Sequence, residues 1–554
     1  MKEEPNNSAV ADVQQQLHSL LDSVSRVQIL KGKWSLVATK LAALDSRLSN
    51  LSTSAAAAAA SNPLSSDLLR SVSSTCSAAA SLSALCHSPT PPAGKLKTQN
   101  DIDSLSAKLD AHTSDLEVIV RSGVLAENAD AVVSKRESAR SEVRYLITRL
   151  QIGSTASKSS ALESVNGLLQ EDGKNLLIAV AQGIVPVLVH LLDCSNSPEL
   201  KEKSVSAIAK ISTEDSSKHV LMAEGLVLLN NLMRVLESGS VFAKEKSCIA
   251  LRVLSNCKEN ARAIGSRGGI SSLLDICREG SPNSQALAAG VLRNLAVFED
   301  VRENFIEENT VLILLALCDS GTALAQENAI GCLCNLVAED DGLKLLVARE
   351  GGIQTLNDIW NSSPTAQSLE VVVEMVRAMA SCPNIAEFLV ANSFLSRVAG
   401  VLSCNVLGVR ITAAKALSHL AYNTKIRKEL GEMGCIPHLV SMLDGKAVEE
   451  KEAAAELLSN LLNYPGNRRI FSKEDKAIVC AVQLLNPSLD TLDNKKHAMS
   501  ILGSLLQSKK CQKQIVAAGA SAHLQKLVEA GVEGAKKLLD SLGRGKLWGV
   551  FARS

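Results

Sequence analysis

The sequence predicts an all-α protein, built as a solenoid of stacked helical repeats behind a separate N-terminal helical domain. Three observations carry that expectation. An apolar helix start recurs at Val143, Ile184, Leu226, Ile270, Val311, Ile353, Leu395, Ile436, Ile478 and, in degenerate form, Ser521, at intervals of 41 to 44 residues. Within each interval the apolar residues keep helical spacing, so each unit can bury its apolar face only against its neighbours. Composition agrees, because 46% of the residues are hydrophobic but only 2% aromatic, which suits close-packed helices with small contacts better than sandwiches or barrels.

A chain of 554 residues exceeds what one compact core holds, and a solenoid escapes that limit by growing lengthwise. The residues before Val143 lack the repeat and read as their own domain, residues 10–140, after a disordered stretch of residues 1–9. Leu17, Leu20, Leu21, Val24 and Val27, then Trp34, Val37, Leu41, Leu44 and Leu48, predict one long or broken helix over residues 10–52. Leu64, Leu68, Leu69, Val72 and Cys76 open a second helix, which ends where Pro89, Pro91 and Pro92 forbid continuation. Ile102, Leu105, Leu109, Leu116 and Ile119 give a third. Helices with such stripes bury them by bundling, so a four-helix-like bundle is expected, with residues 124–139 either completing it or linking it to the repeats.

Residues 141–530 read as an array of about nine to ten repeats, and residues 531–554 as a capping helix with a basic tail. Each repeat is expected to hold a short helix, a helix beginning near a glycine, and a longer helix. From Gly268 to Phe305 this plan is clearest: glycines break the chain, a helix carries Ile270, Leu273 and Leu274, Ser281-Pro282 makes a turn, and a long helix runs through Leu295. The glycines permit positive φ, and the prolines start helices where a missing donor costs nothing.

The segments GIVPVLVHLLDCSN from Gly183, GCIPHLVSML from Gly434, VLRNLA from Val291 and LLSNLL from Leu457 resemble the armadillo repeat. That resemblance implies a right-handed superhelix whose third helices line a groove for a partner segment. The N-terminal domain, with ILKGKWSLVATKLAALDSRL from Ile29 and TQNDIDSLSAKLD from Thr98, resembles the helical domain that precedes armadillo repeats in a plant family of U-box ubiquitin ligases and vacuolar-protein-8-like proteins. Residues 123–141 leave no room for the U-box itself.

In the family, an asparagine near the end of each third helix bonds the backbone of an extended peptide. The matching positions here are Lys210, Val253, Asn294, Asn335, Ala378, His419, Asn460 and Ser504, a partial ladder centred on Asn294 and Asn335. Import receptors of this type also carry a tryptophan four residues earlier, where this chain has Gly290, Gly331 and Glu374, so import of basic signals is disfavoured. Arg252, Arg293 and Arg377 share the slot before the ladder, with Lys210 close by. Either they form a basic stripe for an acidic or phosphorylated partner, or they are long side chains that keep their charge in solvent.

Lys plus Arg and Asp plus Glu both number 58, which removes any global basic field for nucleic acid. The fourteen cysteines lie in apolar helical patterns with no paired CxxC, and read as small reduced core residues. No metal or cofactor site is expected: the nine histidines lack HExxH spacing, Asn166-Gly167 through Gly173-Lys174 departs from the phosphate-loop pattern, and no GxSxG elbow occurs. MKEEPNNSAVADVQQQ is no secretory signal and no uninterrupted apolar run of membrane-spanning length follows, so a cytoplasmic or nuclear protein is expected. The C-terminal Lys536, Lys537, Arg544, Lys546 and Arg553, among Leu538, Leu542, Trp548 and Phe551, either cap the last repeat or touch a partner or an anionic membrane surface. The expected function is a non-enzymatic scaffold that binds other proteins in the groove and self-associates through the bundle. The alternative is an accessory subunit of a ubiquitin-ligase or membrane-associated assembly.

Overall fold

A computed structural model describes residues 8–61, 63–88, 94–122, 135–194, 196–306, 309–362, 364–487 and 492–551. Among them every regular element is helical. The chain divides into two compact units, Met1–Leu254 and Ser255–Ser554.

The first unit opens with four helices, α1 (Ser8–Ser25), α2 (Lys31–Ser61), α3 (Pro63–Leu85) and α4 (Lys95–Ser122). The expected long first helix is broken at Leu30, whose φ of 54° is left-handed. Gln28 there donates its backbone N–H to the Cys86 carbonyl at 3.0 Å, so the break is tied to the end of α3. That break supplies the fourth helix, and residues 124–134 of the segment offered for it lie outside the described residues. The apolar stripes meet in one core running from Val10 to Ile119, with Leu17, Trp34, Leu41, Leu44 and Leu109 nearly or fully buried.

Three ion pairs join α2 to α4 at seven-residue intervals, Lys33 with Asp103 at 2.5 Å, Lys40 with Asp110 at 2.5 Å and Arg47 with Glu117 at 2.8 Å. Their constant offset of 70 residues shows that the two helices run parallel. Each half-exposed pair contributes at most about 1 kcal/mol, so the ladder sets register more than stability.

Lys135–Ile152 and Thr155–Glu171 follow, and Ile152 packs against the bundle core. The three-helix repeat then begins with Gly173–Ala181, Ile184–Cys194 and Pro198–Ser212. In the next repeat Leu226, read as an apolar helix start, is 51% exposed, while Leu228 is fully buried. Leu228, 42 residues before the buried Ile270, therefore takes the inward position, and the sequence register was two residues early at this repeat.

In the second unit six of the seven repeats turn between their first and second helices through a left-handed residue, Gly268 (φ 76°), Asn309 (51°), Gly351 (95°), Ser393 (65°), Gly434 (80°) and Gly519 (89°), whereas the repeat of Pro465–Phe471 and Ala477–Gln483 enters its second helix through Lys476 at φ −98°. The third helices, Pro282–Ala296, Ala323–Val337, Ala366–Ala380, Leu407–Leu420, Val448–Leu461 and Leu492–Leu505, stack each against the next. Ser281, Thr322 and Thr365 cap the first three through side-chain oxygens that accept the Ser284, Ala325 and Ser368 N–H groups. Ala535–Phe551 ends the stack, packing on the two helices before it with Ala535, Leu538 and Leu542 buried. The side chains of residues 544–554, and with them Arg544, Lys546 and Arg553 of the expected basic tail, lie outside the described residues.

Candidate interaction groove

The third helices bring an alternating row of polar side chains to one face because residues spaced three and four apart share a helix face. On Ala323–Val337 that face carries Glu327, Gly331 and Asn335; on Ala366–Ala380 it carries Glu370, Glu374 and Arg377. Arg293, Asn294, Asn335, Arg377 and Asn460 are each half-buried, and His419 is exposed.

The asparagines are engaged within the stack. Asn335 donates its side-chain N–H to the Arg293 carbonyl at 3.0 Å, and Asn460 donates to the Ser418 carbonyl at 3.2 Å, each reaching 42 residues back to the preceding third helix. Asn294 donates to the Ser255 hydroxyl at 3.1 Å. Asn328, which the ladder reading passed over, makes the same reach to the Ala286 carbonyl at 2.9 Å and is 7% exposed. The matching positions therefore join neighbouring repeats, whatever else they contact.

The arginines are partnered as well. Arg293 lies across Gly331, where an added Cβ would meet its Cδ at 2.7 Å and its Cζ at 2.8 Å. Its guanidinium pairs with Glu327 at 3.7 Å, and Glu327 is 7% exposed. Arg377 holds Glu374 through Nε, at 3.0 Å from Oε1 and 2.9 Å from Oε2, and that hydrogen bond raises the already high arginine pKa. Charge on this face is thus largely compensated at both arginines. Glu370 has no ion-pair partner among the described residues.

Arg293, Glu327, Asn335, Glu370, Glu374 and Thr412 line one cleft of about 340 Å3 spanning the third helices of successive repeats. His419 lies further along the face; although its side chain reaches solvent, partial desolvation by the surrounding helices lowers its imidazole pKa, Glu456 opposes that, and Arg377 and Lys344 reinforce it. Lys210 and Arg252, both exposed, belong to the first unit. The sequence therefore found Arg293 and Asn335 in the cleft but missed Glu327 and Glu370. Their signal was present two turns before the ladder position on the same helix face, since Glu327 precedes Asn335, and Glu370 precedes Ala378, by eight residues.

Burial pushes the thiols of Cys318, Cys332 and Cys334 far above their ordinary pKa, which keeps them protonated and unreactive. Eleven of the fourteen cysteines are buried and all are free. Among the described residues no group of three or more His, Cys, Asp or Glu is placed to hold a metal ion. No single described helix is long and apolar enough to cross a membrane.

Comparison with known proteins matches residues 174–213 to the armadillo/beta-catenin-like repeat and residues 11–124 to a domain of unknown function, DUF7032. U-box domain-containing protein 8 of Arabidopsis thaliana is 30% identical over 197 residues, which is 35% of this chain and 52% of that protein. Junction plakoglobin of Xenopus laevis is 26% identical over 419 residues, 68% of this chain and 55% of that protein. The chain thus spans about half the length of these curated relatives. A crystal structure of an engineered protein shares the fold, with a TM-score of 0.61 at 21% identity over 73% of this chain and 98% of that one.

Proposed function

We propose, from the premise that the chain is an armadillo-repeat protein with a separate N-terminal helical domain, that it is a non-enzymatic scaffold binding an extended segment of another protein on the third-helix face of its second unit. The observation that carries this reading is the cleft spanning successive third helices, where half-buried charged and amide side chains meet in about 340 Å3 of open space. Repeats of this kind present continuous surfaces rather than enclosed pockets, and extended segments are held by contacts distributed along them. Since Asn335 and Asn460 spend an N–H on the neighbouring repeat, binding on this face draws on the charged side chains beside them as much as on an asparagine ladder.

Partner choice is a separate matter. The acidic or phosphorylated partner was expected from the row of arginines at one repeat spacing, two of which, Arg293 and Arg377, face glutamates in this chain. A cytoplasmic or nuclear site of action remains part of the proposal, as do self-association through the bundle and membrane contact through the C-terminal tail. The second reading, an accessory subunit of a ubiquitin-ligase assembly, draws on the 30% identity to a U-box protein over 35% of this chain.

Site-specific photo-crosslinking tests the main reading. Benzoylphenylalanine replaces Thr412 in the cleft, or Ser164 in the first unit as the control, and crosslinked partners are mapped by mass spectrometry. A partner peptide captured at position 412 but not at 164 supports the assignment. Capture at 164 alone moves binding off this face.

A further inference from the structure

We propose that Arg293 is a removable plug in the third-helix cleft, holding the place taken by a lysine or arginine side chain of the bound segment. This rests on the third-helix face being the binding surface. The main chain of Arg293 is tied by the Asn335 amide at 3.0 Å, so any exchange is a side-chain movement. Above it, Gly331 offers bare backbone, and the arginine side chain occupies the space a Cβ would fill. Its contact with Glu327, at 3.7 Å, is an ion pair too long for a hydrogen bond.

Glu327 decides the sign of the partner. A carboxylate only 7% exposed is tolerated when a cation faces it, and removing that cation leaves a buried charge unpaired. An acidic ligand that drew Arg293 away would strand Glu327. A cationic ligand would not, because it replaces one cation by another and keeps Glu327 paired. Glu370, in the same cleft and without an ion-pair partner among the described residues, gives the incoming cation a second carboxylate that Arg293 does not use. Three glutamates, 327, 370 and 374, face two guanidiniums, those of Arg293 and Arg377, so the cleft has room in its charge balance for one more cation.

The test uses the full chain and three fluorescein-labelled nonapeptides alternating serine with lysine, glutamate or glutamine. Binding is read by fluorescence anisotropy for the wild type, Arg293→Gln and Gly331→Ala. The second variant expels the arginine side chain by a Cβ without deleting its charge, so the test survives if Arg293→Gln fails to fold. Both variants are expected to bind the lysine peptide about tenfold more tightly than wild type, the scale of one displaced half-buried ion pair, and adding Glu370→Gln should erase the gain. Unchanged or weaker lysine-peptide binding by both variants overturns the plug, as does a gain confined to the glutamate peptide. Hydrogen exchange separates the two levels: protection of Pro282–Ala296 and Ala323–Val337 by the lysine peptide without any gain in the variants sinks the plug but leaves the face. No protection by any of the three peptides sinks both.

Discussion

The side-chain amide of Asn335 donates to the main-chain carbonyl of Arg293 at 3.0 Å, one full repeat earlier in the chain. This bond joins two third helices side to side, and Asn460 repeats it on Ser418. A net hydrogen bond of this kind contributes about 1 kcal/mol. Asn335→Ala and Asn460→Ala should each lower local stability by that amount, read by native-state hydrogen exchange because stacked repeats open locally. A variant that loses partner binding with unchanged exchange in both third helices would show that the asparagine serves the ligand and not the stack.

Backbone conformation gives a second test. Ser393 and Gly351 fill equivalent turns between first and second helices with φ of 65° and 95°. A left-handed conformation costs an L-residue about 1–2 kcal/mol, and part of the gain from glycine is returned as unfolded-state entropy. Ser393→Gly should therefore stabilise its repeat by about 0.5 kcal/mol, and Gly351→Ala should destabilise by about 1 kcal/mol. Thermal melts and hydrogen exchange of the flanking helices decide it, and equal effects of the two changes would contradict the argument.

These turns also show how far the sequence could be read. The period was legible because every repeat must bury an apolar stripe, and glycine marked most turns. Asn309 and Ser393 hid two of them, since nothing local announces a non-glycine residue at positive φ. Leu226 was misread because apolar residues at 226, 227, 228 and 229 offer two registers, and only neighbouring helices select Leu228. The α2–α4 ladder was invisible because its partners lie 70 residues apart. In the cleft, Arg293 and Asn335 were found from the repeat alignment, whereas the pairing of Arg293 with Glu327 depends on Gly331 being bare, a contact between repeats.

Gly431 offers a test of such inter-repeat contacts. It lies inside the helix Thr424–Glu432, where its missing side chain admits Asn467, and an added Cβ would crowd the Asn467 amide, with Cγ at 2.7 Å. Asn467 is 1% exposed and donates to the Arg427 carbonyl at 2.7 Å and to the Leu461 carbonyl at 3.0 Å. Gly431→Ala forces that amide to move, so a loss of about 1–3 kcal/mol is expected despite the better helix propensity of alanine. A stabilised Gly431→Ala protein in denaturant titration would refute the packing account.

Acidity should act through Asp115 on α4. Burial raises its carboxyl pKa to about 6, with the positive charge of Lys158 opposing the rise. A folded-state value above the ordinary 3.8 means that the folded chain binds the proton more tightly than the unfolded one. The group therefore weakens the fold above pH 6 and this penalty fades as pH falls toward 4. Asp115→Asn should stabilise the first unit at pH 7.5 and lose that advantage near pH 4. Comparing the two proteins by hydrogen exchange across α4 isolates this group from the other carboxylates, and a pH-independent difference would exclude it.

The final repeat tests what the C-terminal helix does. A solenoid exposes an apolar face at its last unit unless something covers it, and Ala535, Leu538 and Leu542 are buried where Ala535–Phe551 meets Ala520–Glu529 and Lys509–Ala517. Replacing Leu538 or Leu542 by alanine removes buried methylenes and leaves a cavity, a loss of about 2–5 kcal/mol at a well-packed site and less at an end that can collapse. Because each repeat contacts only its neighbours, the loss should stay local. Exchange should accelerate in Lys509–Ala517 and Ala520–Glu529 while Pro282–Ala296 keeps its protection. Were the helix a free membrane or partner ligand instead of a cap, the same substitutions would leave both neighbouring helices as protected as in the wild type.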